Sequence, residues 1–210
     1  MRGAFMNYID ELCERYAELA ELHNVISKAT ELVVDSYKKG GKILLCGNGG
    51  SAADCEHISG ELLKGFLSLR EPSGEELEKL TEVLGEDAAR LQRGIPAVPL
   101  TSLSSAVSAF ANDVDPSLVY AQLVYALGKP ADVLICISTS GNAKNVLNAA
   151  KVAKALGVST VALVGKGGGA LRDVCDVSIV APENETFKIQ EYHLPIYHAI
   201  CAQAECILFK

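Results

Sequence analysis

Lys42–Phe66 reads KILLCGNGGSAADCEHISGELLKGF. It opens with the short apolar run Ile43-Leu44-Leu45-Cys46, the pattern of a strand buried on both faces. The chain then turns through Gly47-Asn48-Gly49-Gly50-Ser51 and resumes as a helix carrying His57 and Glu61. Glycines allow a tight turn and leave backbone N–H groups uncovered. Ser51 is expected to cap the new helix, making the turn a concave anion site at a helix N-terminus. His57 and Glu61 are four residues apart and share one helix face. An imidazole and a carboxylate so placed can hold a divalent metal or exchange protons.

Working outward, the same strand–loop–helix pattern returns. Asp132–Ile137 is an apolar strand running into Ser138-Thr139-Ser140-Gly141-Asn142, and residues 143–156 follow as an amphipathic helix. Residues 159–164 and 177–180 read as further strands, and residues 95–100, with a proline near each end, as a short one. The loop Thr101-Ser102-Leu103-Ser104-Ser105 is rich in hydroxyls, and the helix after it runs to Ala111. Residues 116–127 are expected to be helical, with Pro116 at the start. The pattern predicts an α/β fold, a three-layer αβα sandwich around a central parallel sheet. Ligands of such sheets bind at the carboxyl ends of the strands, where GNGGS and STSGN both fall.

Residues 5–39 are expected to form two helices with a break at Asn24 or in the region just before it, ahead of Gly40-Gly41. The helix after GNGGS is expected to reach about Ser68. Residues 70–94 change character: charged, bracketed by Pro72-Ser73-Gly74 and Gly94, and read as an insertion with one or two short helices. It is a candidate lid or a passive surface insertion, and its Arg70, Arg90 and Arg93 are within conceivable reach of a phosphate. Residues 185–209 read as a final helix. The whole, 1–210, is expected to be one domain.

Composition narrows the function. The chain has 210 residues, 49% of them hydrophobic and 21% charged, with a formal net charge of -7. No basic block offers a footprint for nucleic acid. The acidic N-terminus does not look like a signal peptide, and no apolar run is long enough to span a membrane. Seven cysteines without a Cys-x-x-Cys motif argue for a reduced, cytoplasmic protein. Cys55 lies near His57, and a buried structural thiol is the favoured reading over a nucleophile. Gly47-x-Gly49-x-x-Ala52 matches a dinucleotide fingerprint only formally, since no second strand with a terminal acid follows the helix. Three hydroxyls and a helix start in Ser138–Ser140 suit a phosphomonoester instead. KIQEYHLPIYH, residues 188–198, adds Gln190, Glu191, His193 and His198, so three of the four histidines lie in two segments.

CGNGGSAADCEHISGEL, ISTSGNAKNVLNAAKVAKALG and KIQEYHLPIYH together resemble the phosphoheptose (sedoheptulose-7-phosphate) isomerases of the sugar-isomerase, or SIS, fold. The resemblance implies a Rossmann-like SIS domain that interconverts sedoheptulose 7-phosphate and D-glycero-D-manno-heptose 7-phosphate. It implies one zinc per site held by His57, Glu61, Gln190 and His198, with Glu61 as base and His198 as acid. It implies substrate and phosphate contacts from Asn48, Gly49, Gly50, Ser51, Ser138, Thr139, Ser140 and Gln190, and Thr101 and Ser102 are counted with them. It also implies a homotetramer with sites near subunit interfaces. The chain departs from the family pattern in four places. Thr101–Ser104 lacks the usual aspartate, Ala143 replaces a common serine, Pro195 interrupts the last helix, and residues 70–94 are long. The alternatives are an isomerase of another sugar phosphate, or a non-catalytic phosphosugar-binding regulator or scaffold like the relative that binds the replication initiator.

Overall fold

The computed structural model describes residues 7–209. In chain order the elements are α1 (Tyr8–Arg15), α2 (His23–Lys38), β1 (Ile43–Gly47), α3 (Gly50–Leu63), α4 (Gly74–Leu84), β2 (Ala97–Pro99), α5 (Ser104–Asp113), α6 (Val119–Leu127), β3 (Val133–Ser138), α7 (Lys144–Ala155), β4 (Ser159–Val164), α8 (Gly169–Val174), β5 (Val177–Val180) and α9 (Thr186–Phe209). Short 3-10 turns fill Ala17–Leu22, Gly85–Arg90, Leu100–Ser102 and Pro116–Leu118.

The five strands form one sheet in the order β2-β1-β3-β4-β5, and every pairing is parallel. Alternate side chains leave opposite faces of a strand. Ile43 and Leu45 therefore join a core with α1, α2, α3 and α9, while Leu44 and Cys46 join a second core with α6, α7 and α8. These two cores make the outer layers of the expected sandwich. After β1 the chain moves outward to β2, then crosses back to β3 on the other side of β1. The loops after β1 and β3 thus flank the point where the winding reverses, the usual crevice for a ligand. The register pairs Gly47 with Ile137, so the two strands end within one residue of each other.

Several expectations are corrected. The helical break lies in the expected region just before Asn24 but is wider than a point: Asn7 caps α1 by accepting the amides of Ile9 and Asp10, Tyr16 leaves helical geometry, and α2 resumes at His23. Residues 5 and 6 of that expected run lie outside the described residues. α3 stops at Leu63, short of Ser68, and α8 was not anticipated. Ser51 is no cap. The helix starts at Gly50 behind Gly49, whose φ of +56° only glycine takes readily, so Ser51 falls inside the first turn and is buried. Pro195 does not break α9, which runs unbroken from Thr186 to Phe209. Among the described residues no helix is long and apolar enough to cross a membrane.

Candidate active site

Three strand-end loops meet at one edge of the sheet. In the first, the Asn48 side chain makes a reciprocal amide pair with Asn145 of α7, 2.9 Å each way. The Tyr120 hydroxyl donates to the carbonyl of Gly47 at 2.7 Å. These contacts tie the GNGGS turn to the start of α7. In the second loop Ser138 closes β3, Thr139 accepts the amide of Gly165, and the Ser140 hydroxyl accepts the amide of Asn142. Gly141 has φ +65°, and a Cβ there would run into the carbonyl of Gly168. Asn142 holds the neighbouring loop by accepting the amide of Ala170 at 3.0 Å. In the third loop Ser102 donates to Glu56 of α3 at 2.9 Å, and the Thr101 hydroxyl is buried with no hydrogen-bond partner in its surroundings.

The reactive groups are assembled by two helices lying side by side and pointing the same way. A Cβ on Gly50 would strike the Gln190 side chain, His57 meets His198, and the amide of Phe66 meets Glu205. The Nε2 of His57 lies 3.3 Å from Glu61 Oε1 and 3.3 Å from His198 Nε2. Its Nδ1 lies 3.0 Å from the Tyr197 hydroxyl, which donates to Asp54 at 3.3 Å. A phenol that gives its proton to a carboxylate receives the Nδ1–H of the imidazole. The Nε2 lone pair of His57 then faces Glu61 and His198. Lys64 Nζ reaches the other Glu61 oxygen at 3.4 Å. Burial raises the pKa of Asp54. Burial lowers that of His198, favouring its neutral imidazole. Phe66 stands beside the His198 ring, 5.5 Å between centroids. A groove of about 340 Å³ opens next to it, lined by Tyr8, Leu12, Phe66, Leu194, Pro195 and His198 among others.

The donor types fit zinc: two imidazoles and a carboxylate, with a lone pair turned toward an anionic oxygen. A tetrahedral ion with bonds of about 2.1 Å spaces its ligand atoms about 3.4 Å apart, close to both distances at His57. The fourth expected donor stands away. Gln190 is eight residues from His198, about 12 Å along the helix, and its amide covers Gly50. Among the described residues no three His, Cys, Asp or Glu side chains form a closed ligand set.

Other expectations are placed elsewhere. His193 is fully buried and belongs to the core, not to the cluster. Burial pushes Cys55 well above its ordinary thiol pKa, so it is no nucleophile. Arg70 is buried against Glu205, Arg90 pairs with Asp87, and the Arg93 guanidinium lies over the Phe209 ring, so Arg70 is not free for a phosphate. Asn145, Tyr120, Tyr197 and Asp54 were not anticipated. Only Asn145 carried a local signal, at the start of a helix that follows a candidate phosphate loop.

Residues 4–165 match the SIS domain family. A phosphoheptose isomerase of Aliarcobacter butzleri is 40% identical over 189 residues, covering 90% of this chain and 88% of that protein. The solved phosphoheptose isomerase from Neisseria gonorrhoeae superposes with a TM-score of 0.71 at 34% identity, covering 92% of this chain and 93% of that one. A phosphoheptose isomerase from Francisella tularensis gives 0.73 at 29%, with 94% of each chain covered.

Proposed function

The chain belongs to the SIS domain family and to its phosphoheptose isomerases, and from that premise we propose that it interconverts sedoheptulose 7-phosphate and D-glycero-D-manno-heptose 7-phosphate. That it is a phosphosugar isomerase follows from the relatives; the particular sugar and the residue roles are the proposal.

The observation that carries it is the meeting of Glu61, His57 and His198 on two parallel helices whose first turns lie at the phosphate-type loops. In this reading the 7-phosphate sits at Asn48–Ser51 and Ser138–Ser140, with Thr101 and Ser102 facing the sugar hydroxyls. The Glu61 carboxylate takes the proton from C1 of the ketose. His198, neutral and carrying an N–H, gives a proton to O2. The resulting enediol loses its O1 proton and regains one at C2, which yields the aldose and restores both groups. His57, oriented by Tyr197 and Asp54, presents its Nε2 lone pair between Glu61 and His198. His57, Glu61 and His198 are the residues that would hold zinc, with Gln190 reaching them only after a rearrangement. Bound there, zinc would polarise the substrate oxygens as a Lewis acid. The phosphate supplies binding energy away from the reacting carbons. The same reading makes the protein a cytoplasmic homotetramer, with 1–210 one SIS domain and 70–94 an insertion on it.

Turnover of sedoheptulose 7-phosphate by the purified protein, with added zinc and then with a chelator, tests this. Aldose formation that falls on chelation is the expected result. Folded, zinc-loaded protein that leaves the ketose unchanged overturns the substrate, and the unusual Thr101–Ser104 loop then directs the search to other ketose phosphates.

A further inference from the structure

α3 ends without the glycine cap that helices commonly use; Lys64 is fully extended. The guanidinium of Arg70 takes its place. Arg70 donates to the carbonyl of Leu62 at 2.7 Å and to that of Glu61 at 3.1 Å, while its Nε pairs with Glu205 at 2.6 Å. Glu205 in turn accepts the amides of Phe66 and Leu67, each at 2.8 Å. Both charged side chains are buried, at 0% and 1% exposure. Burial alone would raise the Glu205 pKa, yet those amides and Arg70 hold it below the usual range. Arg70 is also the one non-glycine residue with positive φ (+49°) among the described residues. An unfavourable backbone conformation persists where the surroundings enforce it, and here three side-chain hydrogen bonds do so.

We propose that the Arg70–Glu205 pair is a positioning clamp for the isomerase reaction. It fixes the last turn of α3, and so the Glu61 carboxylate, to α9, and it sets the Phe66 ring against His198. The pair touches no reacting atom. It acts through the backbone of Glu61 and of Phe66: Glu205 lies on α9, which carries the proposed acid, and Arg70, in the segment after α3, reaches the last carbonyls of the helix that carries the proposed base. A buried ion pair of no further consequence needs one contact between opposite charges. This one also binds four backbone groups of the segment between Glu61 and Leu67: the carbonyls of Glu61 and Leu62 and the amides of Phe66 and Leu67. The inference rests on Glu61 being the base.

Arg70→Lys tests it. Lysine keeps the charge and can still meet Glu205, but one ammonium cannot also span two successive carbonyls. The expected result is folded protein with kcat at least tenfold lower, KM within twofold, and faster hydrogen exchange at the Phe66 and Leu67 amides. Glu205→Gln is expected to give the same kcat loss, and Arg90→Lys, on an exposed pair, none. Folded Arg70→Lys with wild-type kcat overturns the proposal, as does unchanged exchange at the two amides. If wild-type protein fails to turn over sedoheptulose 7-phosphate, the substrate assignment fails instead. The exchange measurement then still decides the clamp: acceleration supports it and no change rejects it.

Discussion

The two ends of α3 are held by opposite means. Its start is held by backbone: Gly47 and Gly49 make the turn, a neutral amide pair ties Asn48 to Asn145, and Gln190 closes over Gly50. Its end is held by buried charge, through Arg70 and Glu205. Neutral amides and uncovered N–H groups suit an end that must receive an anion without a competing carboxylate. A buried ion pair that also holds four backbone groups suits an end where a side chain must be held in place. Variants at the two ends are therefore expected to divide, KM for the first and kcat for the second.

The largest effect is expected at the second end. Glu61→Gln should lower kcat by about 10²–10⁴, the usual contribution of a positioned base, with phosphate affinity retained; steady-state kinetics with wild-type-like turnover would remove Glu61 from that role. His193 sharpens the contrast from the core side of α9. Its fully buried ring is pushed by desolvation down to about pKa 4, against the opposing effect of the Val164 backbone. The unfolded chain binds that proton near pH 6.5. Stability is fully present above pH 6.5 and falls as pH drops toward 4, by about 3 kcal/mol over that window. Urea melts at several pH values should show this slope, and His193→Leu should flatten it without a change in KM.

At the first end, Gly141→Ala forces a side chain onto the Gly168 carbonyl at φ +65°. It should raise KM about tenfold, as a strain of about 1–2 kcal/mol implies, with kcat little changed. Asn145→Ala removes both neutral hydrogen bonds to Asn48, and one accepted from the Val146 amide, at an exposed site. A two- to tenfold rise in KM is expected, from about 0.5–1.5 kcal/mol; a fall in kcat with unchanged KM would blur the division between the ends.

The legible parts of the molecule were those that local rules dictate. β4 and β5 could be read to the residue because apolar runs between turns leave little choice, and His57–Glu61 because a helix puts positions four apart on one face. Ser51 misled because the cap rule weighs a serine without knowing that Gly49 had already turned the chain. Pro195 misled because an interior proline costs one hydrogen bond, which two flanking helical turns and a packed groove can absorb. The Asn48–Asn145 pair spans 97 positions and Arg70–Glu205 spans 135. Asn48 and Asn145 each sit at a marked loop, but nothing local pairs them, and an arginine beside a charged insertion reads as solvated until the fold buries it.

The parallel course of α3 and α9 has a consequence for substrate length. From Gly50, at the start of α3, to His57 is seven residues, about 10 Å of helix. If the phosphate is anchored at the first turn, as proposed, the helix acts as a gauge. A sugar phosphate with fewer carbons, seated by the same loops, would place its C1 and C2 before the Glu61–His198 pair rather than between them. Such a compound should occupy the site without reacting, and shorter ketose phosphates are expected to behave as competitive inhibitors.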